Sequence, residues 1–227
     1  MTAPLPLHAV LIDLDGTLLD TALDLAAAAN AMLREIGRPE VPTETIRNYI
    51  GRGVPNLVKR CLTGRMDAAD DPAPPPAVAL EVFEKCYHES NGRYSAVYPG
   101  VLEGIEAFKA KGLKLACLTN KAEAFTFPLL ERTELLQHFD VVVCGDTLPR
   151  HKPDPMQLTW VCGHFDIRPH QMLLCGDSLN DAKAARAAGC PVFIVPYGYN
   201  EGQDVRGLDC DAIVGSLLEA AQLVTRA

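Results

Sequence analysis

The sequence predicts an α/β fold in which a parallel sheet carries helices on both faces and is interrupted by an inserted all-α domain. Three observations predict it. From about Tyr98 onward, short apolar runs alternate with helix-periodic stretches, the pattern of a parallel sheet. Near the N-terminus, Val10, Leu11 and Ile12 form an unbroken apolar run, as in a strand buried on both faces. Between these two regions, residues 18–94 show helical periodicity and no convincing strand. Together they describe a Rossmann-like core with a helical insertion after its first strand.

In chain order, the first strand ends at Asp13, and Gly16 breaks it. Thr17 then starts a turn or caps the next element. Helical periodicity covers residues 19–36, 43–50, 54–62 and 77–94; residues 66–76, rich in Asp, Ala and Pro, read as a loop. Gly and Pro punctuate the chain near residues 17–20 and 95–100. The expected division is therefore a core of residues 1–17 and 95–227 and a helical domain of residues 18–94. In the core, a helix over 101–111 stops at Gly112, a good terminator. A strand over 113–118 runs into Thr119-Asn120, and a helix over 122–133 comes after it. A strand over 139–144, a turn-rich loop to Pro155 and a helix over 156–165 come next. A strand over 172–175 leads into Gly176-Asp177-Ser178, an alanine-rich helix spans 180–188, Gly189 closes it, and a strand covers 191–195.

Composition limits the functions. A chain of 227 residues, 48% hydrophobic, supports one good core or a core plus a small insertion. The net charge of −8 and the lack of a basic tract disfavour nucleic acid, which needs a positive face. No segment approaches a membrane span, and the N-terminus lacks the basic-then-apolar pattern of a secretory signal. Eight cysteines without a Cys-x-x-Cys pair read as free thiols in a reducing cytoplasm. With no heptad or interface stripe, both monomer and homodimer stay open. An anionic substrate would need a local positive field from a metal ion, a lysine or helix N-termini.

Four strand ends carry the chemistry. Asp13 and Asp15 end the first, two residues apart and so on one side of the chain. Crowded carboxylates repel each other and suit a divalent cation or a reaction. Thr119 and Asn120 end the second, in Leu-Thr-Asn-Lys. The third passes Gly145-Asp146 into a loop with His151-Lys152-Pro153, and the fourth ends in Asp177, followed by Asn180 and Asp181. Each has an ordinary reading as well. Asp-Gly is a common turn, Lys152 alone would be a solvated surface lysine, Thr119 could cap a helix, and Asp181 could favour a helix N-terminus. Asp146 lacks a following Asn-Asp pair and is set aside in favour of Asp177.

In order and spacing, Asp-Leu-Asp-Gly-Thr at 13–17, Thr119, Lys152 and Gly-Asp-Ser-x-Asn-Asp at 176–181 resemble the four motifs of the haloacid dehalogenase-like superfamily. The insertion point resembles that of its members with a helical cap domain. The resemblance covers essentially the whole chain. It implies a phosphohydrolase with Asp13 as nucleophile and Asp15 as acid/base. It implies Mg²⁺ held by Asp13, the main-chain carbonyl of Asp15 and Asp177. Thr119, Asn120 and Lys152 would bind phosphate, and Asp181 and Ser178 would support them from behind. The residue chemistry agrees: a carboxylate is already an anion at neutral pH and needs no base to attack. Attack on a phosphate monoester needs the charge compensation that a cation and a lysine supply.

Substrate choice would fall to the cap. Tyr-Ile-Gly-Arg-Gly-Val at 49–54 resembles the Gly-x-Gly specificity loop of the phosphoglycolate phosphatases in this family, as do Ala-Ala-Gly-Cys-Pro at 187–191 and Tyr-Gly-Tyr-Asn at 197–200. Gly51 and Gly53 would let main-chain N–H groups approach a small acidic substrate, and Arg52 would fork onto its carboxylate. The expected partner is a small phosphorylated metabolite, 2-phosphoglycolate first. Other small phosphomonoesters (sugar phosphates, nucleotides) remain alternatives, as does phosphomutase chemistry. Phosphonate cleavage is a further alternative and would require a Schiff-base lysine such as Lys59.

Overall fold

The computed structural model describes residues 4–70 and 75–227. Its elements begin with β1 (Leu5–Leu7), β2 (Ala9–Ile12), β3 (Leu19–Asp20), α1 (Ala22–Glu35), α2 (Thr43–Tyr49) and α3 (Val54–Thr63). A 3₁₀ turn at Met66–Asp70 precedes α4 (Ala77–Ser90), β4 (Ala96–Val97), α5 (Val101–Ala110), β5 (Lys114–Leu118), α6 (Glu123–Arg132) and β6 (Val141–Val143). Then come α7 (Met156–Phe165), β7 (Met172–Gly176), α8 (Leu179–Ala188), β8 (Val192–Ile194), β9 (Ala212–Ile213), α9 (Leu217–Gln222) and β10 (Val224–Arg226).

The main sheet has the order β6-β5-β2-β7-β8-β9, every pair parallel. All four residues of β2 are buried, as its central place requires. Residue alternation then divides the core. Val10 and Ile12 face one hydrophobic cluster with Ile105, Phe108, Leu129 and Leu217. Ala9 and Leu11 face another with Leu158, Val161, Ala182 and Ala185. Helices therefore cover both faces. The sheet order reverses at β2, whose neighbours are β5 and β7, and such a switch point opens a crevice beyond the strands' carboxyl ends. The register aligns Ile12 with Cys117 and Cys175, so Asp13, Thr119 and Asp177 leave the sheet at one edge.

Helices α1–α4 share a third cluster, built around Met32, Leu33, Ile46, Val58, Phe83 and Tyr87. The two chain passages that join them to the sheet run side by side as the antiparallel pair β3–β4. That pairing shortens the helix expected over 19–36, which begins at Ala22. The helix expected over 77–94 stops at Ser90 because the following turn wraps a carboxylate: Gly92 and Tyr94 donate main-chain N–H bonds to Asp24 at 2.9 and 2.7 Å. Of the loop expected over 66–76, residues 71–74 lie outside the described residues. Strands β1 and β10 pair with each other outside the main sheet. Among the described residues, no helix is long and apolar enough to cross a membrane. All eight cysteines are free.

Candidate active site

Asp13 continues β2 by one residue, its main-chain N–H bonded to the Cys175 carbonyl at 2.9 Å. Its carboxylate meets a lysine from a distant loop. The Lys152 ammonium donates to Asp13 Oδ1 at 2.6 Å, to Asp181 Oδ1 at 2.7 Å and to the Leu118 carbonyl at 3.0 Å. Lys152 is only 2% exposed, which removes the surface-lysine reading. Burial by itself lowers the Lys152 pKa, but Asp13 and Asp181 outweigh it and the net direction is up, so the ammonium stays charged. Asp181 is fully engaged, because its second oxygen accepts from the Ser178 N–H at 3.2 Å and the Ser178 hydroxyl at 2.6 Å. Ser178 and Asp181 thus cap the start of α8 and steady Lys152 together.

Asp177 lies at the end of β7, 2% exposed, with the Tyr199 N–H on its Oδ2 at 2.5 Å. Gly16 and Gly198 press against that oxygen: a Cβ on either would stand 2.1 or 2.2 Å from it. Oxygens of Asp13, Asp177 and Asp181 lie within 4.8 Å of one another. Burial pushes the Asp13 carboxyl up to about 7, with Lys152 opposing and Asp181 and Asp15 adding to the rise. Burial, then Asp13 and Asp181, raise Asp177 well above the usual carboxylate range. One ammonium does not offset this negative charge. The donor set is all oxygen, buried and anionic, which suits a hard divalent cation. Asp13, Asp177 and Asp181 together form an acidic group of the kind that could hold one.

Asp15 is held away from that pair. Its Oδ1 accepts from the Lys121 ammonium at 2.8 Å and the Thr21 hydroxyl at 2.7 Å. Lys121 is buried and also bonds the Tyr87 hydroxyl, at 2.5 Å, in α4. Thr119 is buried, with its N–H on the Val143 carbonyl and its hydroxyl accepting from the Lys121 N–H at 3.1 Å. Asn120 ties the end of β5 to the loop between β6 and α7 through an Nδ2 bond to the Lys152 carbonyl at 2.8 Å. Lys121, Thr21 and Tyr87 escaped sequence reasoning. Lys121 stood in the Leu-Thr-Asn-Lys run, which was its one signal. Tyr199 stood in the run at 197–200, with nothing there to mark its bond to Asp177. Asp146, the set-aside acid, accepts from the Glu123 N–H at 2.9 Å and so starts α6.

Above these groups is an open cavity of about 80 Å³. Asp13, Asp15, Thr119, Asn120, Lys121, Lys152, Asp177 and Ser178 line its polar side, and Leu25, Ile50, Val54 and Leu57 its apolar side. Gly51, Arg52 and Gly53 also line it, from the connection between α2 and α3. Arg52 has a left-handed backbone, φ 60°, and its guanidinium is turned to Asp70 at 2.7 Å and Glu201 at 3.4 Å. Lys59 lines a different hollow, beside Leu62 and Val78.

Comparison with known proteins gives a consistent result. The family described as haloacid dehalogenase-like hydrolase matches residues 10–195. The chain is similar to a phosphoglycolate phosphatase of Nitrosospira multiformis, 59% identical over all of this chain and 99% of the relative. It is also similar to a plasmid-borne phosphoglycolate phosphatase of Cupriavidus necator, 45% identical over all of this chain and 96% of the relative. Among solved structures, a protein described as a predicted phosphoglycolate phosphatase from Haemophilus somnus 129PT superposes with a TM-score of 0.85 at 30% identity, over 95% of this chain and 97% of that one.

Proposed function

The chain belongs to the haloacid dehalogenase-like hydrolase family, and on that premise we propose that it is a cytoplasmic Mg²⁺-dependent phosphatase of a small phosphomonoester, converting 2-phosphoglycolate to glycolate and phosphate. The observation that carries the reading is the buried contact of Lys152 with Asp13 and Asp181 beside Asp177. The two relatives named phosphoglycolate phosphatase support the substrate. The free thiols agree with a reducing compartment.

Residues 18–94 act in this reading as a cap domain over a core of residues 1–17 and 95–227. Asp13, Asp177 and the main-chain carbonyl of Asp15 would hold Mg²⁺, which when bound neutralises their charge and polarises a phosphoryl oxygen. Lys152 adds fixed positive charge, and Thr119, Asn120 and nearby N–H groups hold phosphoryl oxygens. A carboxylate oxygen of Asp13 attacks phosphorus. The new O–P bond forms, the ester P–O bond breaks, and the Asp15 carboxyl gives its proton to the departing alkoxide. Asp15, now a carboxylate, takes a proton from water as the water oxygen attacks the phosphoaspartate. The P–O bond to Asp13 breaks, releasing phosphate and restoring the nucleophile. Asp181 and Ser178 keep Lys152 in place, and Gly51 and Gly53 face the carboxylate end of the substrate, while Arg52, which pairs with Asp70 and Glu201, would have to leave those partners to fork onto it as the sequence suggested.

The test is phosphate release from 2-phosphoglycolate by purified protein. Release should need Mg²⁺, stop with EDTA and return when Mg²⁺ is restored. Asp13→Asn should abolish it without changing the thermal unfolding signal. Faster release from sugar phosphates or nucleotides at matched low concentration would replace the substrate; turnover by Asp13→Asn would refute the nucleophile.

A further inference from the structure

We infer that Lys121, anchored by Tyr87 of α4, is the positioning residue for the acid/base Asp15. The inference deepens the phosphatase mechanism proposed above and rests on it. Asp15 has a demanding task, since its carboxyl group must aim at the leaving oxygen and stay clear of the cation beside Asp13. Two donors meet on one of its oxygens: the Lys121 ammonium at 2.8 Å and the Thr21 hydroxyl at 2.7 Å, both on Oδ1. Paired donors on Oδ1 fix the carboxyl plane and assign the transferable proton to Oδ2, because an oxygen accepting two hydrogen bonds is a poor place for it.

Lys121 is itself held firmly. It is 6% exposed, and its ammonium bonds the hydroxyl of Tyr87, which is fully buried. The Tyr87 ring is wedged between Phe83 and Phe125, with centroids 5.6 and 4.8 Å away. Its face also lies 4.9 Å from the Lys121 ammonium. The Lys121 N–H bonds the Thr119 hydroxyl, so the same residue is fixed to the strand end that faces the phosphate. Lys121 thereby joins the end of β5, the acid/base and the helical cap. Tyr87 reaches it only when α4 is seated against the core, so covering the site and aiming Asp15 become one event. A different role for a lysine that lines the cavity is direct binding of substrate anion, and the two roles separate experimentally.

The test is a double-mutant cycle on the full-length protein with 2-phosphoglycolate and Mg²⁺. Lys121→Met should lower kcat about a hundredfold, the lower end of what a positioned acid/base contributes, with KM within about threefold. Tyr87→Phe keeps the ring and removes the hydroxyl, and should lower kcat several-fold with KM unchanged. In an Asp15→Asn background, neither change should cost more than about twofold further, because the group they aim is gone. A raised KM with kcat preserved would overturn the inference and make Lys121 a substrate-binding cation. Losses that multiply in the Asp15→Asn background would overturn it as well, leaving a structural role. Should Lys121→Met fail to fold, the Tyr87→Phe pair decides by the same criterion. Full turnover by Asp15→Asn would instead refute the acid/base reading, a distinct result.

Discussion

If Asp13 and Asp177 hold Mg²⁺ as proposed, protons and cation would compete there for the same oxygens. Asp13 is pushed up to about 7 and Asp177 well above its ordinary 3.8, both first by burial. Their folded pKa values therefore exceed the unfolded ones. Between about pH 4 and 7, the cation-free folded chain keeps protons that the unfolded chain has released, so these groups make stability fall as pH rises through that window. A bound divalent cation removes this penalty by displacing the protons. The shift in Tm on adding Mg²⁺ should thus be small at pH 5 and grow toward pH 8, and Asp177→Asn should abolish it. Thermal unfolding at both pH values decides the matter, and equal shifts would contradict the competition. Asp13, Asp15, Thr119 and Asp177 were legible in the sequence because each sits at or just after a strand end, where local pattern fixes direction, whereas Lys152, in the loop after β6, and Asp181, in the first turn of α8, were marked by their order and spacing relative to these. Lys121 was not, since its partners Asp15 and Tyr87 stand 106 and 34 residues away and meet it only through the seating of α4. Arg52 was legible as a cavity residue, but its pairing with Asp70 and Glu201 was not.

At the scale of elements, the close packing of α5 on α9 makes a sharp demand. A Cβ at Gly104 would stand 2.5 Å from the Leu217 carbonyl carbon and 2.6 Å from its Cβ. Backbone cannot yield as a flexible side chain can. Gly104→Ala should destabilise by about 1–3 kcal/mol, lowering Tm by about 3–10 °C, while kcat at low temperature stays near the parent value. A melt within a degree of the parent would show that the helices slide apart freely. The long elements were readable because Val10–Ile12, Cys117 and Leu173–Cys175 lie on strands apolar on both faces, and the helices between them are amphipathic. What escaped was short. The pair β3–β4 has two residues on each strand, too few to show a period of two, and it forms because the two passages to the helical unit run side by side. Strands β1 and β10 owe their conformation to each other across the length of the chain. Helix α9 spans six residues and is set by its N-cap, Ser216, which accepts from the Glu219 N–H.

Across the whole molecule, the polar contacts between the helical unit and the rest of the chain include ion pairs to Glu201. Glu201, in the loop after β8, accepts from Arg60 at 2.8 Å and lies 3.4 Å from Arg52. Arg60 is 1% exposed and also bonds the carbonyls of Tyr49 and Met66, at 2.9 and 3.0 Å, within its own unit. In the cap reading proposed above, the helical unit would move off the core to admit substrate and release phosphate. On opening, Arg60 keeps both carbonyls and loses only the carboxylate, so Glu201 favours the covered arrangement selectively. Because the Glu201 side chain is 18% exposed, its effect falls below that of a fully buried pair. Glu201→Gln keeps the shape and removes the charge, and should disfavour the covered state by about 1–2 kcal/mol, a factor of about 5–30. The charge is remote from the reacting atoms, so the loss should fall on binding: KM for 2-phosphoglycolate rises by that factor and kcat stays within about threefold. An unchanged KM would mean the covered arrangement does not depend on the Glu201 charge. A fall in kcat at constant KM would mean that Glu201 acts on the chemistry through Arg52 rather than on closure.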